Sequence, residues 1–209
     1  MKIVTASDKN YFQFLIDQIV SCKGYLNILP DVYDLGLEKG QADFIRLAGM
    51  KVYRVPDHPE PGRYYPKGYK PTALHKPAML LDYCYRTNDD VLYLDADAKP
   101  VEFFEFPDVE LGMAKAHDKI LASYNGTEMA EYIGPFHTSV IFLKLTDQRS
   151  DFLRAWETDL MNDELPSDMK SLNRVIETYN ITELPEDVWN SVTKYPHTKI
   201  LHVQGPVVR

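Results

Sequence analysis

Much of what would place this chain in a large, easily recognised class is missing from it. Its 209 residues include only two cysteines, Cys22 and Cys84. Each lies in an apolar helical context, so reduced core residues are expected and a disulfide framework is not. No apolar run is long enough to span a membrane. The first six residues, Met1 to Ala6, are too short and too strand-like for a secretory leader, so a cytosolic protein is expected. Lysine and arginine number 23 against 31 acidic residues and form no cluster, which argues against nucleic acid or anionic membrane as a partner. There is no P-loop, no G-x-G-x-x-G and no G-x-S-x-G, hence no motif support for a kinase, a nicotinamide enzyme or a serine hydrolase. The histidines show no H-E-x-x-H spacing.

What is present is a chain able to bury a sizeable core, with 44% hydrophobic and 12% aromatic residues. Residues 1–209 carry no repeat or linker and read as a single domain. Lys2 to Ala6 reads as a strand. A helix capped by Ser7 or Asp8 follows, with Phe12, Leu15, Ile19 and Cys22 on one face and Gly24 at its end. A second strand is expected over Leu26–Leu29, a turn at Asp34-Leu35-Gly36-Leu37, a helix over Gln41–Ala48 and a third strand over Lys51–Val55. This alternation predicts an α/β fold with a mostly parallel central sheet and helices on both faces. Residues 56–71 hold five prolines and three tyrosines, a long loop that reads equally as a surface excursion or a lid. Thr72–Arg86 reads as a helix presenting Leu74, Ala78, Leu81 and Tyr85. Strands are expected over Val101–Phe106, Leu111–Ala116, Thr138–Leu145, Ile181–Leu184 and Lys199–Val203. Helices are expected from Asp147 and from Ser167.

The stretch with most chemical content is Val91-Leu92-Tyr93-Leu94-Asp95-Ala96-Asp97. Four apolar residues describe a buried strand, and two carboxylates follow where it reaches solvent. Open α/β sheets bind ligands at the carboxyl ends of their strands. Residues i and i+2 of an extended chain point the same way, so Asp95 and Asp97 can reach one cation. Acidic pairs are also common turn residues, and that reading stays open here. His202 ends an apolar strand and suits Mn²⁺ better than Mg²⁺, although a lone strand-end histidine is more often structural. Asp168 stands in the first turn of a helix, where an acid complements the helix dipole. Lys76, near a helix start, is either a point charge for a phosphate or a solvated lysine.

Taken in order, these segments resemble GT-A nucleotide-sugar glycosyltransferases, in particular the retaining, glycogenin-like family 8. Ile3-Val4-Thr5-Ala6-Ser7-Asp8 resembles the first strand and loop that hold the nucleoside, which implicates Thr5, Ala6 and Ser7. Asp34-Leu35-Gly36-Leu37 resembles the D-x-G-L turn, and Val91 to Asp97 resembles V-L-Y-L-D-x-D. Lys76 falls near the basic residue that helps bind donor. Phe136-His137-Thr138-Ser139-Val140-Ile141 resembles F-N-T/S-G-V/I. Ser167-Asp168-Met169-Lys170-Ser171-Leu172-Asn173 resembles D-Q-x-x-L-N, and Leu184 to Asn190 resembles L-P-x-x-W-N. His202-Val203-Gln204-Gly205-Pro206 resembles H-x-x-G-P.

The resemblance implies a GT-A fold in which Asp95, Asp97 and His202 hold Mn²⁺, with Mg²⁺ as the alternative. Ala96 and Gly205 would contact the donor, a UDP-sugar such as UDP-glucose or UDP-galactose, and Asp168 would be catalytic. It implies transfer with retention to a glycan, lipid or protein acceptor. The sequence departs from the pattern at Met169, His137 and Ser139. The C-terminal K-P-W is also absent: Val208 stands at its lysine, and either Arg209 or a continuation of the chain would supply a cation to the diphosphate. These departures motivate a second reading, a sugar-nucleotide-binding module without catalysis. A nucleotidyltransferase ranks last, because Thr5 to Asn10 contains no glycine.

Overall fold

The structure is a computed structural model that describes residues 1–55, 75–115, 135–162 and 167–203. The proline- and tyrosine-rich loop expected over 56–71 lies outside them, as do Gly205 and Arg209. Strand β1 (Lys2–Ser7) leads into helix α1 (Phe12–Ser21), then β2 (Asp31–Asp34), α2 (Lys39–Leu47) and β3 (Val52–Arg54). Next come α3 (Lys76–Arg86), β4 (Val91–Leu94), β5 (Ala98–Pro100), β6 (Leu111–Lys115) and β7 (Phe136–Leu143). The chain continues through α4 (Asp147–Asn162), α5 (Asp168–Val175), β8 (Thr182–Leu184), the short α6 (Glu186–Trp189) and β9 (Ile200–His202).

Seven strands form one sheet in the order β3-β2-β1-β4-β7-β6-β8. The β3-β2-β1-β4 half is parallel, as the early alternation of strands and helices requires. β7 runs antiparallel to β4 and to β6, and β8 pairs parallel to β6. β5 and β9 make a separate two-stranded sheet. Central β4 is buried on both faces. Val91 and Tyr93 join a core built with Tyr83 of α3, Phe152 and Trp156 of α4, and Leu172 of α5. Leu92 and Leu94 join another, with Ile3, Val140, Phe142 and Ile200. A third cluster seats Leu15 and Ile19 of α1 and Ile45 of α2 on Val32 of β2. Helices thus cover both faces, as expected of a mostly parallel sheet. No described helix is long and apolar enough to cross a membrane.

The structure corrects several expectations. Leu26–Leu29 is not a strand: α1 runs past Gly24 into a π-helical turn, Cys22–Leu26, and Asn27 ends it in the left-handed conformation. The second strand is instead Asp31–Asp34, where only Val32 and Tyr33 are buried. Neither Ser7 nor Asp8 caps α1 directly. Asp8 Oδ1 accepts from the N–H groups of Asn10 and Tyr11, at 2.8 and 3.1 Å, in the turn that precedes the helix. Residues 101–106 form no strand, because Phe104 and Phe106 pack on Trp189 and Phe142 in an aromatic cluster rather than entering a ladder. α3 buries Lys76, Met79, Leu80, Tyr83 and Cys84, a face rotated from the one expected, and Tyr85 is exposed.

Candidate active site

β1 and β4 pair side by side and in parallel, so their carboxyl ends open at the same edge of the sheet. A pocket of about 290 Å³ lies there. Leu94 is fully buried, and the chain turns immediately after it. Asp95 N–H donates to Ser139 O at 2.9 Å, and Ala98 N–H closes the turn on Asp95 O at 2.8 Å. Strand β5 begins at Ala98, whose register partner across the small sheet is His202. That pairing carries a histidine more than a hundred residues distant to the pocket, where its Nε2 lies 3.3 Å from Asp97 Oδ1. Val203 N–H donates to Asp97 O at 2.8 Å and holds the same junction.

From the opposite side come α3 and α5. Lys76 is 4% exposed, and its ammonium is enclosed by oxygen. It lies 3.0 Å from Asp95 Oδ1 and 3.1 Å from Asp168 Oδ2. It also donates to Thr138 O and Oγ1, at 3.1 and 3.0 Å. The Thr138 hydroxyl in turn donates to Asp168 Oδ2 at 2.8 Å. Burial disfavours charge on this lysine, but the two carboxylates outweigh it and raise its pKa. Asp168 is fixed from behind by Trp156, whose Nε1–H donates to its carbonyl at 3.0 Å. Asn173, one helical turn on, accepts from Phe136 N–H and donates to Phe136 O, each at 3.0 Å, and so locks α5 to the start of β7.

Of the residues singled out in the sequence, Ala6, Ser7 and Lys76 line the pocket together with Asp95, Ala96 and Asp97. Asp168 and His202 line it as well, from opposite sides. Thr5 does not line it: its side chain is fully buried and points with Ile3 away from the face of Val4 and Ala6. The Asp34 turn has the expected form. Asp34 Oδ1 accepts from the N–H groups of Gly36 and Leu37 at 2.9 and 2.7 Å, and Gly36 takes φ +121°, which suits glycine. Leu35, inside that turn, faces the pocket.

Tyr93 was not singled out from the sequence, and His137 was noted only as a departure from the family pattern. Tyr93 donates its hydroxyl to Asp95 Oδ1 at 2.6 Å, and burial, then Asp95, hold its pKa well above the phenolic range. The period of two along β4 was the available signal, since it places Tyr93 and Asp95 on one face. His137 is half-buried, with its Nδ1 on the Ser139 hydroxyl and its ring edge-on to His202. Burial, then the neighbouring His202, push its pKa down to about 4, so it is neutral near pH 7. His202 behaves oppositely: burial opposes its charge, but hydrogen-bonded Asp97 raises its pKa.

Four aspartates (Asp8, Asp95, Asp97, Asp168) face the pocket with one lysine. Among the described residues no group of three or more metal-ligating side chains stands close enough to hold an ion. The donor types do fit a divalent cation: Asp97 and His202 are already paired, while Asp95 Oδ1 is engaged by Lys76 and Tyr93.

No protein-family model matches the chain, and no curated protein matches it. Solved structures do match. The galactosyltransferase LgtC, in complex with donor and acceptor sugar analogs, superposes with a TM-score of 0.58 at 19% identity, over 99% of this chain and 88% of that one. A glycosyltransferase involved in glycosylation of the major capsid of PBCV-1 gives 0.54 at 12% identity, over 98% of this chain and 94% of that one. This is the GT-A fold. The pocket sits at the carboxyl ends of β1 and β4, where the strand order β3-β2-β1-β4 reverses, the crevice at which open sheets bind ligands.

Proposed function

We propose that this protein, acting as one GT-A domain, is a metal-dependent glycosyltransferase. It moves a sugar from a nucleotide diphosphate, a UDP-sugar first among the candidates, to a glycan, lipid or protein acceptor with retention. The observation that carries this reading is the convergence of Asp95, Asp97, Asp168, Lys76 and His202 on one pocket of a GT-A fold. Charge supports it. Lys76 is spent on Asp95 and Asp168, which leaves the described wall acidic toward a diphosphate. A divalent cation on Asp97 and His202, joined by Asp95, would supply the missing positive charge and stabilise the departing diphosphate as a Lewis acid.

The protein's own groups supply the remainder. Tyr93 and Lys76 both bind Asp95 Oδ1 and fix that carboxylate. Asp168 Oδ2 is engaged by Lys76 and by Thr138, so that oxygen is poorly suited to attack a sugar carbon. Asp168 therefore orients the sugar and stabilises positive charge at its anomeric centre. Retention then follows from attack on the face the diphosphate leaves, with a diphosphate oxygen taking the acceptor proton.

A thermal-shift panel of nucleotide diphosphates and their sugars, with and without Mn²⁺, tests the reading. One nucleotide should stabilise the protein only with metal, by about 2.7 kcal/mol at a hundredfold excess over its Kd. Asp97→Ala should abolish both that shift and Mn²⁺-dependent donor hydrolysis. Hydrolysis that survives this substitution together with chelator would refute the site. Metal-dependent binding with no hydrolysis in the unaltered protein would favour the non-catalytic module instead.

A further inference from the structure

Gln18 lies on α1, outside the pocket, among the apolar positions Leu15, Ile19 and Cys22. It is fully buried. Its Nε2 donates to Asp95 O at 2.7 Å and to Ala98 O at 2.6 Å. Those carbonyls are the first and last of the turn that presents Asp95 and Asp97, and the same Asp95 O already accepts from Ala98 N–H. One amide thus spans the turn from outside. Among the described residues its Oε1 has no hydrogen-bond partner. An apolar side chain would fill the same space with no polar group to satisfy, so the two donated bonds are what distinguish glutamine here.

The turn it grips is a junction. Ala98 stands opposite His202 in the β5–β9 register, and Asp97 O accepts from Val203 N–H. Around the turn, Lys99 pairs with Asp17 at 3.6 Å, and Cys22 packs with Ala98 and Ile200. Displacing the turn by a fraction of an ångström would move Asp95, Asp97 and His202 together.

We propose that Gln18 is a positioning residue for the donor site. By tying both ends of the Asp95–Ala98 turn to α1 it sets the aim of the two carboxylates and the seat of His202. The proposal rests on the sugar-nucleotide reading above and assigns Gln18 no contact with substrate.

The test uses the full chain and Gln18→Met, which keeps the side-chain length and removes both N–H donors. Affinity for UDP is measured by calorimetry in saturating Mn²⁺, and amide hydrogen exchange is followed at Ala98. In Gln18→Met the Kd should rise about tenfold or more, the consequence of one lost interaction of ordinary strength. Exchange at Ala98 should accelerate by at least a similar factor while the amides of β1 stay protected. A purely structural role would lower Tm and leave the Kd within twofold of the unaltered protein, and that result overturns the proposal. Unchanged exchange at Ala98 overturns the tether by itself. If the unaltered protein takes up no UDP with Mn²⁺, the UDP assignment fails and the affinity half of this proposal fails with it, while the exchange result still decides whether the tether holds the turn.

Discussion

Replacing Lys76 by methionine removes the ammonium that lies between Asp95 and Asp168. Both carboxylate oxygens lie within 3.1 Å of its nitrogen, so they stand no more than about 6 Å from each other. At that separation and an effective dielectric near 20, their mutual repulsion is on the order of 3 kcal/mol. Removing one partner from a buried pair costs about 3–5 kcal/mol. Asp95 retains 27% side-chain exposure, and Asp168 keeps the Thr138 hydroxyl, so the lower end applies. Lys76→Met is therefore expected to lose about 3 kcal/mol in urea unfolding and to lower Tm by roughly 6–12 °C for a chain of this size. Asp168→Asn removes one of the opposed charges. The double substitution should then recover at least about 1 kcal/mol relative to the sum of the two single losses. A Lys76→Met loss below about 0.5 kcal/mol, or effects that simply add, would refute the picture of a lysine whose task is to join two aspartates.

The other predictions concern more local features. Burial pushes the Cys22 and Cys84 thiols up to about 12 and about 11, so a thiol-reactive disulfide reagent at pH 8 should label neither in the folded protein and both in urea. These values rise on folding; the associated stability is complete below about pH 9 and is lost as the pH climbs toward the folded values, about 4 kcal/mol at most for Cys22. Urea titrations at pH 8 and pH 10.5 check the sign. Asp34→Ala leaves the N–H groups of Gly36 and Leu37 without their acceptor and should cost about 1–2 kcal/mol, which Asp34→Asn should largely restore. Gly112→Ala places a methyl 2.7 Å from Val109 Cγ2 and 3.2 Å from Leu184 Cδ1. It should destabilise by about 1–3 kcal/mol, and adding Val109→Ala should recover much of the loss.

The fold was most legible where apolar residues were dense or regularly spaced. Lys2–Ala6 and Val91–Leu94 were evident as short apolar runs, and the helix of Phe152, Trp156 and Leu160 from its spacing. Asp31–Asp34 escaped because it is a short strand with an aspartate at each end and two apolar residues between, while Leu26–Leu29 looked more strand-like and was taken up by the end of α1. Val101 to Phe106 looked like a strand from its apolar content, but aromatic packing against Trp189 won over the ladder. The face of α3 was misjudged for an electrostatic reason. Its buried stripe begins with a lysine, and a lysine joins a buried stripe only when carboxylates from elsewhere enclose it. Asp95 and Asp97 were legible as a pair, whereas Asp168 and His202 were ordinary in their own segments. What joins them is the β5–β9 register and the docking of α5 on α4, long-range pairings that no local window contains.

The position of β9 has a consequence for the order in which the protein matures. The seven-stranded sheet pairs Asp95's strand with β1 and β7 and does not include β9 at all. A state with that sheet formed and the small one open would display both aspartates without the histidine, because β9 is held by β5 and by Ser191 and by no strand of the large sheet. On the reading proposed above, donor binding would report closure of the small sheet rather than formation of the large one. A bound donor would then slow the opening of β5 and β9 more than that of any strand in the main sheet, and so would act as the last fastener of the site.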